Sequence, residues 1–320
     1  MQLLLDVGHP IDALALLAGG LVTASRDGKV RRWSMDGSGG EVLLDVAPEV
    51  PSHLAVADGV LWVAAGASLW RIDDAGAVEV STGLNEFVGG VAVTPMGVVF
   101  VGDDCDVRLA EPDGTVRWRG QTYKWGNAVE AQPGGTRAVV PTWDGYLYAL
   151  DTADLPVEDE GSGEARYASL DYPTHPADLM PVMAAVWHGD TIWAVGHLLS
   201  GEGGGARCWR PGSRTWTGHG FDDPDGLNAV ARSRDGRCVA VGSEGGVVSL
   251  LHPDSAAVQA TYDLTEVQPG VPPSYLPVPH PVEFTQAPLL ACVLDLLFTP
   301  DGAAVLAATA GGAVVRLPRR

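Results

Sequence analysis

Eight histidines and four cysteines are the residues of this 320-residue chain best suited to hold a metal or attack a substrate. His9, His53 and His197, together with Asp103 or Glu244, supply the nitrogen and oxygen donors that a divalent metal takes. Their spacing does not assemble them. There is no H-x-H or H-E-x-x-H pattern to set two imidazoles on one face of an element. Cys105, Cys208, Cys238 and Cys292 stand far apart without a C-x-x-C pair, so neither a zinc site nor a dithiol is written locally. Free, buried thiols are the expectation. No G-x-S-x-G elbow occurs, and the glycine run at 201–205 lacks the strand, lysine and helix of a phosphate loop. The sequence therefore predicts no cofactor, no resident metal and no catalytic set.

Charge narrows the partners. The formal net charge is −20, which repels the phosphate backbones that proteins meet with clustered Lys and Arg. Nucleic acid is excluded as the expected partner. Lys29 and Lys124 are the two lysines, and with abundant Ala and Gly this composition reads as that of a GC-rich bacterial genome. The first twenty residues carry Asp6, His9 and Asp12 and no basic leader, which fits a secretory signal poorly. No apolar run approaches the ~18 residues of a membrane span. The expectation is a cytoplasmic protein that meets neither membrane nor nucleic acid.

The elements that must position any site come from an internal repeat. A short apolar segment, a glycine turn, a β-branched segment, a second glycine turn and a third segment ending in Trp or Leu recur seven times. The first copy runs from Ile11 through LVTAS and Asp27-Gly28 to KVRRW at Trp33; the second contains VLWVAA and SLWRI. The third contains VVFV and DVRL, the fourth RAVVPT and YLYAL, and the fifth TIWAVG and ARCW. The last two, RDGRCVAVGSEGGVVSL and PDGAAVLAATAGGAVVRL, nearly superpose. Segments of this length, rich in Val, Leu and Trp and bounded by Gly, are strands joined as hairpins.

The spacing predicts an all-β, seven-bladed β-propeller with four-stranded antiparallel blades, because 320 residues in seven units give about 46 each, near the ~40–45 of such a blade. Outer strands are expected in stretches such as 41–46 and 115–120. The seventh unit ends after its third strand, while residues 1–7 form an apolar strand before the first unit. That N-terminal strand is predicted to complete the last blade and close the ring, leaving one domain over 1–320. Loop insertions are expected at 151–181, which holds the acidic run 158–160, and at 251–291. The second contains a proline-dense tract at 269–288, expected either to present polyproline II conformation as a lid or ligand, or to wrap the rim as a linker.

The first repeat resembles the WD40 family. Gly8-His9 stands where that family has Gly-His, and Ser25, Asp27 and Trp33 match its second-strand hydroxyl, turn aspartate and third-strand tryptophan. The resemblance implies a buried hydrogen-bonded network of His9, Ser25, Asp27 and Trp33. Later repeats depart from it: Leu250 and Leu317 replace the tryptophan, Ser34 follows Trp33 where Asp is usual, and YLYALD and EPDGTVRWR are equally similar to the quinoprotein-type repeat.

In such a fold the innermost strands line a channel whose mouth is crowned by loops. Aligning the inner strands places Asp12, Asn127 and Asn228 at one repeated position near that mouth. They serve either a ligand or the ring itself, by bonding one another and channel water. Loops on the same face contribute Arg26, His53, Asp103, Asp104, Lys124, Trp125, Trp143, Asp144, His197 and Glu244. Exposed Trp with basic and polar neighbours is the composition of interface hot spots, although Trp143 could equally pack between blades. The sequence thus points first to a non-enzymatic protein-protein interaction scaffold that binds a protein or peptide at the mouth. The alternative is a small-molecule enzyme, a metal-dependent lyase or hydrolase, or a ligand sensor using the same residues.

Overall fold

In the computed structural model, residues 1–47, 52–80, 87–102, 104–122, 124–155, 179–213, 216–269 and 290–319 are described. Asp103, the acidic run 158–160 and residues 270–288 of the proline-dense tract lie outside them. The described chain is almost wholly β-structure, with a single 3-10 turn at Leu264–Glu266. Its strands form seven antiparallel sheets, six of four strands and one of three.

From inner to outer strand, the first sheet comprises Ile11–Leu17, Gly20–Ser25, Lys29–Trp33 and Gly39–Asp45, and the second Ser52–Ala57, Val60–Ala65, Ser68–Asp73 and Gly76–Val80. The third comprises Val88–Thr94, Gly97–Gly102, Asp106–Ala110 and Val116–Gln121. The fourth has Glu130–Ala131, Arg137–Pro141 and Leu147–Asp151; the residues that follow, 156–178, are outside the described set. The fifth comprises Leu179–His188, Thr191–Leu198, Gly204–Trp209 and Trp216–Asp223, and the sixth Leu227–Arg232, Val239–Ser243, Val247–Leu251 and Val258–Asp263. The seventh comprises Val293–Phe298, Ala304–Thr309 and Ala313–Pro318, completed by Gln2–Asp6 from the start of the chain. This is the architecture of a seven-bladed β-propeller.

The sequence explains the gradient across each sheet. Second strands such as Ala304–Thr309 are buried throughout, because a sheet stacked on both faces needs a continuous apolar run rather than alternation. Outer strands are wet: Gly76–Val80 buries only Val80. Part of the insertion expected at 251–291 is in fact such an outer strand. VQATYD alternates, turning Tyr262 inward so that its hydroxyl donates to the Pro318 carbonyl.

The chain divides into two compact units, Met1–Ser52 with Glu202–Ala206 and His219–Arg320, and His53–Gly201 with Arg207–Gly218. In the first unit the sixth sheet packs on the seventh through Val248, Leu250, Val293, Val305 and Leu317, and the seventh on the first through Ile11, Leu14, Leu21, Leu306 and Val314. In the second unit Trp62, Val88 and Phe100 join the second and third sheets, and Val99, Val101, Trp118 and Val140 join the third and fourth. Val139, Leu147, Trp187 and Trp209 join the fourth and fifth. Burying one such large side chain stabilises the fold by about 1.5–3 kcal/mol. Polar clamps add direction: Arg137 stacks 4.8 Å from the Trp187 ring and reaches Asp190 at 2.6 Å, while Trp187 Nε1 donates to the Glu130 carbonyl.

Candidate functional site

A recurring hydroxyl shapes one end of four blades. Where the second strand turns into the third, Ser25, Thr142, Ser243 and Thr309 are all buried and hydrogen-bond the main chain four residues on. The turn needs a left-handed residue, supplied by Gly28, Gly145, Gly246 and Gly312, and by Cys105 at φ 66 in the third sheet. These hydroxyl residues pair across to Ile11, Gly126, Leu227 and Val293 at the start of the inner strands.

The next inner-strand residue is Asp12, Asn127, Asn228 or Leu294. In the first, sixth and seventh sheets the ladder shifts there, which is a β-bulge that re-aims the side chain. Asp12, Asn127 and Asn228 therefore do occupy one equivalent register position. Their partners differ from the expected mutual bonding. Asn127 Nδ2 donates to the Val182 carbonyl at 2.7 Å and Asn228 Nδ2 to Cys292 Sγ at 3.6 Å, each at the beginning of the next sheet. Asp12 instead holds Arg26, Nε to Oδ1, at 2.8 Å, with both side chains mostly buried.

In the first unit this ion pair stands beside a carboxyl that the sequence reading passed over. Asp295 lies on the inner strand of the seventh sheet; its Oδ2 accepts the Leu14 amide of the first sheet at 2.7 Å and its Oδ1 accepts the Leu296 amide at 2.8 Å. Desolvation of the half-buried carboxyl, reinforced by the charge of Asp12, pushes it up to about 7 against the lowering effect of the two amides. Burial, with Glu244 and Asp225 nearby, pushes the Cys292 thiol up to about 12. Asp223 is likewise raised by burial, against the lowering effect of the Asp225 amide that donates to it.

The second unit carries the aromatic candidates. Trp125 and Trp143 are half-buried neighbours, ring centroids 6.4 Å apart and planes tilted by 50°, and the Trp143 amide donates to the Trp125 carbonyl. Lys124 beside them is exposed, and Asp144 accepts from Thr142 Oγ1 at 2.6 Å. His53 and His197 are half-buried on the strands Ser52–Ala57 and Thr191–Leu198. Asp104 and Asp106 flank Arg108, which is 3% exposed, at 3.2 and 2.9 Å.

The network implied for the first repeat is assembled differently. Arg31, not His9, completes it: its Nη1 donates to Ser25 Oγ and Asp27 Oδ1, both at 3.0 Å, and its Nη2 meets Asp27 Oδ2. Ser25 Oγ also donates to Asp27 Oδ1. Burial opposes the charge on Asp27, but the hydrogen bonds from Arg31 and Ser25 outweigh it and hold the carboxyl at about 2. Trp33 Nε1 donates to Thr23 Oγ1 at 3.0 Å rather than to Ser25. His9 is exposed; the contribution of Gly8-His9 lies in its backbone, which packs over Gly312. An arginine two residues into the third strand and four residues after an aspartate is the sequence signal of this network, and Arg108 repeats it after Asp104 in the third sheet.

Among the described residues no group of three or more His, Cys, Asp or Glu side chains converges in a way that could hold a metal ion. No described helix is long and apolar enough to cross a membrane.

No protein-family model matches the chain, and no curated protein matches it in sequence. Solved structures do. The crystal structure of the computationally designed Ika8 protein superposes with a TM-score of 0.64 over 99% of this chain and 98% of its own, at 15% sequence identity. At that identity the likeness carries the fold alone.

Proposed function

We propose that this chain is a WD40-like, non-enzymatic interaction module of the bacterial cytoplasm that binds a protein or peptide on the turn-bearing face where Trp125 and Trp143 lie. The observation that carries the reading is the half-buried Trp125–Trp143 pair with exposed Lys124 beside it. Large rigid aromatics next to a basic group release much area from water on binding at little entropic cost, as interface anchors do. The Ser25–Asp27 contact of the first blade supports the WD40 likeness, and the deeply negative charge supports a protein rather than a nucleic-acid partner. His53, His197 and Asn127 of the same compact unit complete the proposed face.

Affinity capture from the native host tests this. Wild-type protein should enrich a specific partner that Trp125→Ala and Trp143→Ala each lose, with unfolding midpoints unchanged. Full retention by both variants would remove this face from consideration.

The rival reading, an enzyme or ligand sensor, draws on Asp295, since a carboxyl poised near neutrality beside an ionised one is the arrangement acid–base catalysis uses. Both oxygens of Asp295 are engaged by main-chain amides. That favours a role within the fold.

A further inference from the structure

We propose that the seam between the seventh and first sheets is a proton-sensitive latch, set by the Asp295 carboxyl that bonds the Leu14 amide across the seam beside the Asp12–Arg26 pair. The geometry places a single side chain across two blades. Asp295 belongs to Val293–Phe298, and the amide it binds belongs to Ile11–Leu17, two residues beyond Asp12. The same seventh sheet is completed by the N-terminal strand, so the seam lies where both ends of the chain meet.

Among the described residues, charged groups approach Asp295 from the first and sixth sheets. Asp12 faces it from the first sheet and is neutralised by Arg26 at 2.8 Å. From the sixth sheet, Leu227–Arg232 offers Arg232, three positions beyond the residue level with Asp295, and Glu244 follows Val239–Ser243. Within the seventh sheet, the neighbouring strand Ala304–Thr309 has no titratable side chain. Protonated, Asp295 is a neutral, half-buried acceptor. Ionised, it sets a second negative charge beside Asp12 with Arg26 already engaged.

Desolvation in the closed seam and the Asp12 charge bring this ionisation to about pH 7, whereas in an opened seam the carboxyl is solvated and ordinary. Opening therefore becomes easier as pH rises, because the opened form holds fewer protons. The linkage raises the opening constant about tenfold between about pH 6 and 8.

Native-state hydrogen exchange of the Leu14 amide reads the latch directly. Its protection factor, corrected for the intrinsic rate, should fall about tenfold from about pH 6 to 8 in the wild type and stay flat in Asp295→Asn, which keeps an acceptor oxygen. Asp12→Asn, which keeps the seam but removes the like charge, should shift the fall to lower pH. Protection that is constant in the wild type, or a fall that persists unchanged in Asp295→Asn, would overturn the latch. If Asp295→Asn does not fold, the Asp12→Asn shift decides: an unmoved midpoint rejects the proposal.

Discussion

Arg31 grips Asp27 from four residues along the chain, Nη1 to Oδ1 at 3.0 Å with Nη2 on the second oxygen, while each side chain is only 15% exposed. The contact locks the turn between the second and third strands of the first blade. It also takes the place that the Gly-His pattern would assign to an imidazole.

Removing the guanidinium should leave Asp27 partly buried without its main partner. Arg31→Met is expected to lose about 1–2 kcal/mol at pH 7, measured by urea unfolding. Asp27 has a depressed pKa, so its contribution is present above about pH 4 and fades as pH falls toward about 2. Wild type and variant should therefore converge in stability in acid. A gap that stays constant down to about pH 2 would contradict the pairing.

Much of the fold was legible because the blades repeat an apolar second strand, and the first, fourth, sixth and seventh add a left-handed turn glycine and a hydroxyl to bond the turn. Asp12, Asn127 and Asn228 could be aligned from sequence since the apolar pattern around each carries the same register. The partners were not legible. Asn127 and Asn228 reach a carbonyl and a thiol at the start of the following blade, contacts set by how sheets stack and not by spacing along one strand. Asp295 stayed hidden inside VLDLLF, where a lone carboxylate interrupts an apolar strand and only the neighbouring blade supplies its amide. His9 misled because a dipeptide identifies a backbone path and leaves the imidazole's direction open.

The His9 finding has a sharp mutational contrast. Gly312 has φ 90, and a Cβ there would lie 2.6 Å from the His9 main-chain nitrogen and oxygen and 2.9 Å from the Gly8 nitrogen. Gly312→Ala combines left-handed strain with a backbone clash and should cost more than about 2 kcal/mol, whereas exposed His9→Ala should stay within about 0.5 kcal/mol. Thermal unfolding of the two variants checks this; a larger loss in His9→Ala would restore the imidazole network.

Whole-protein stability should show the sign of the Asp295 shift. A carboxyl raised in the fold binds its proton more tightly folded than unfolded, so stability is fully present below about pH 4 and is lost as pH rises through about 7. The loss is at most about 4 kcal/mol. Asp295→Asn should therefore be closest to wild type in acid and more stable than it above neutrality. Denaturant midpoints at three pH values test the ordering, and equal midpoints throughout would refute it.

The thiols offer a check on burial. Cys208, Cys238 and Cys292 are buried, while Cys105 is half-buried on its turn. Burial raises the Cys105 thiol, with Asp104 adding to the effect, so its thiolate is scarce at neutral pH. A maleimide should label one thiol of the native protein slowly and all four after denaturation, with Cys105 identified by peptide mass. Rapid native labelling of Cys292 would contradict its placement between the sixth and seventh sheets.

The N-terminal strand carries the last prediction. Gln2–Asp6 pairs antiparallel with Ala313–Pro318, from Gln2 opposite Arg316 to Asp6 opposite Ala313, and Leu5 is buried against Val314 and Leu306. Deleting residues 1–7 strips this cover from the strand containing Val314 and Val315, leaving unpaired amides and carbonyls on a mostly apolar strand, AVVRLP. Such an edge is a template for pairing with other chains. The truncated protein should unfold at lower denaturant and elute as higher-order species whose proportion grows with concentration. Adding the synthetic peptide MQLLLDV should return it to the elution volume of the intact chain, since the peptide restores both the ladder and the Leu5 contact. A truncated chain that keeps the intact elution volume and denaturant midpoint without the peptide would show that the seventh blade does not depend on this strand.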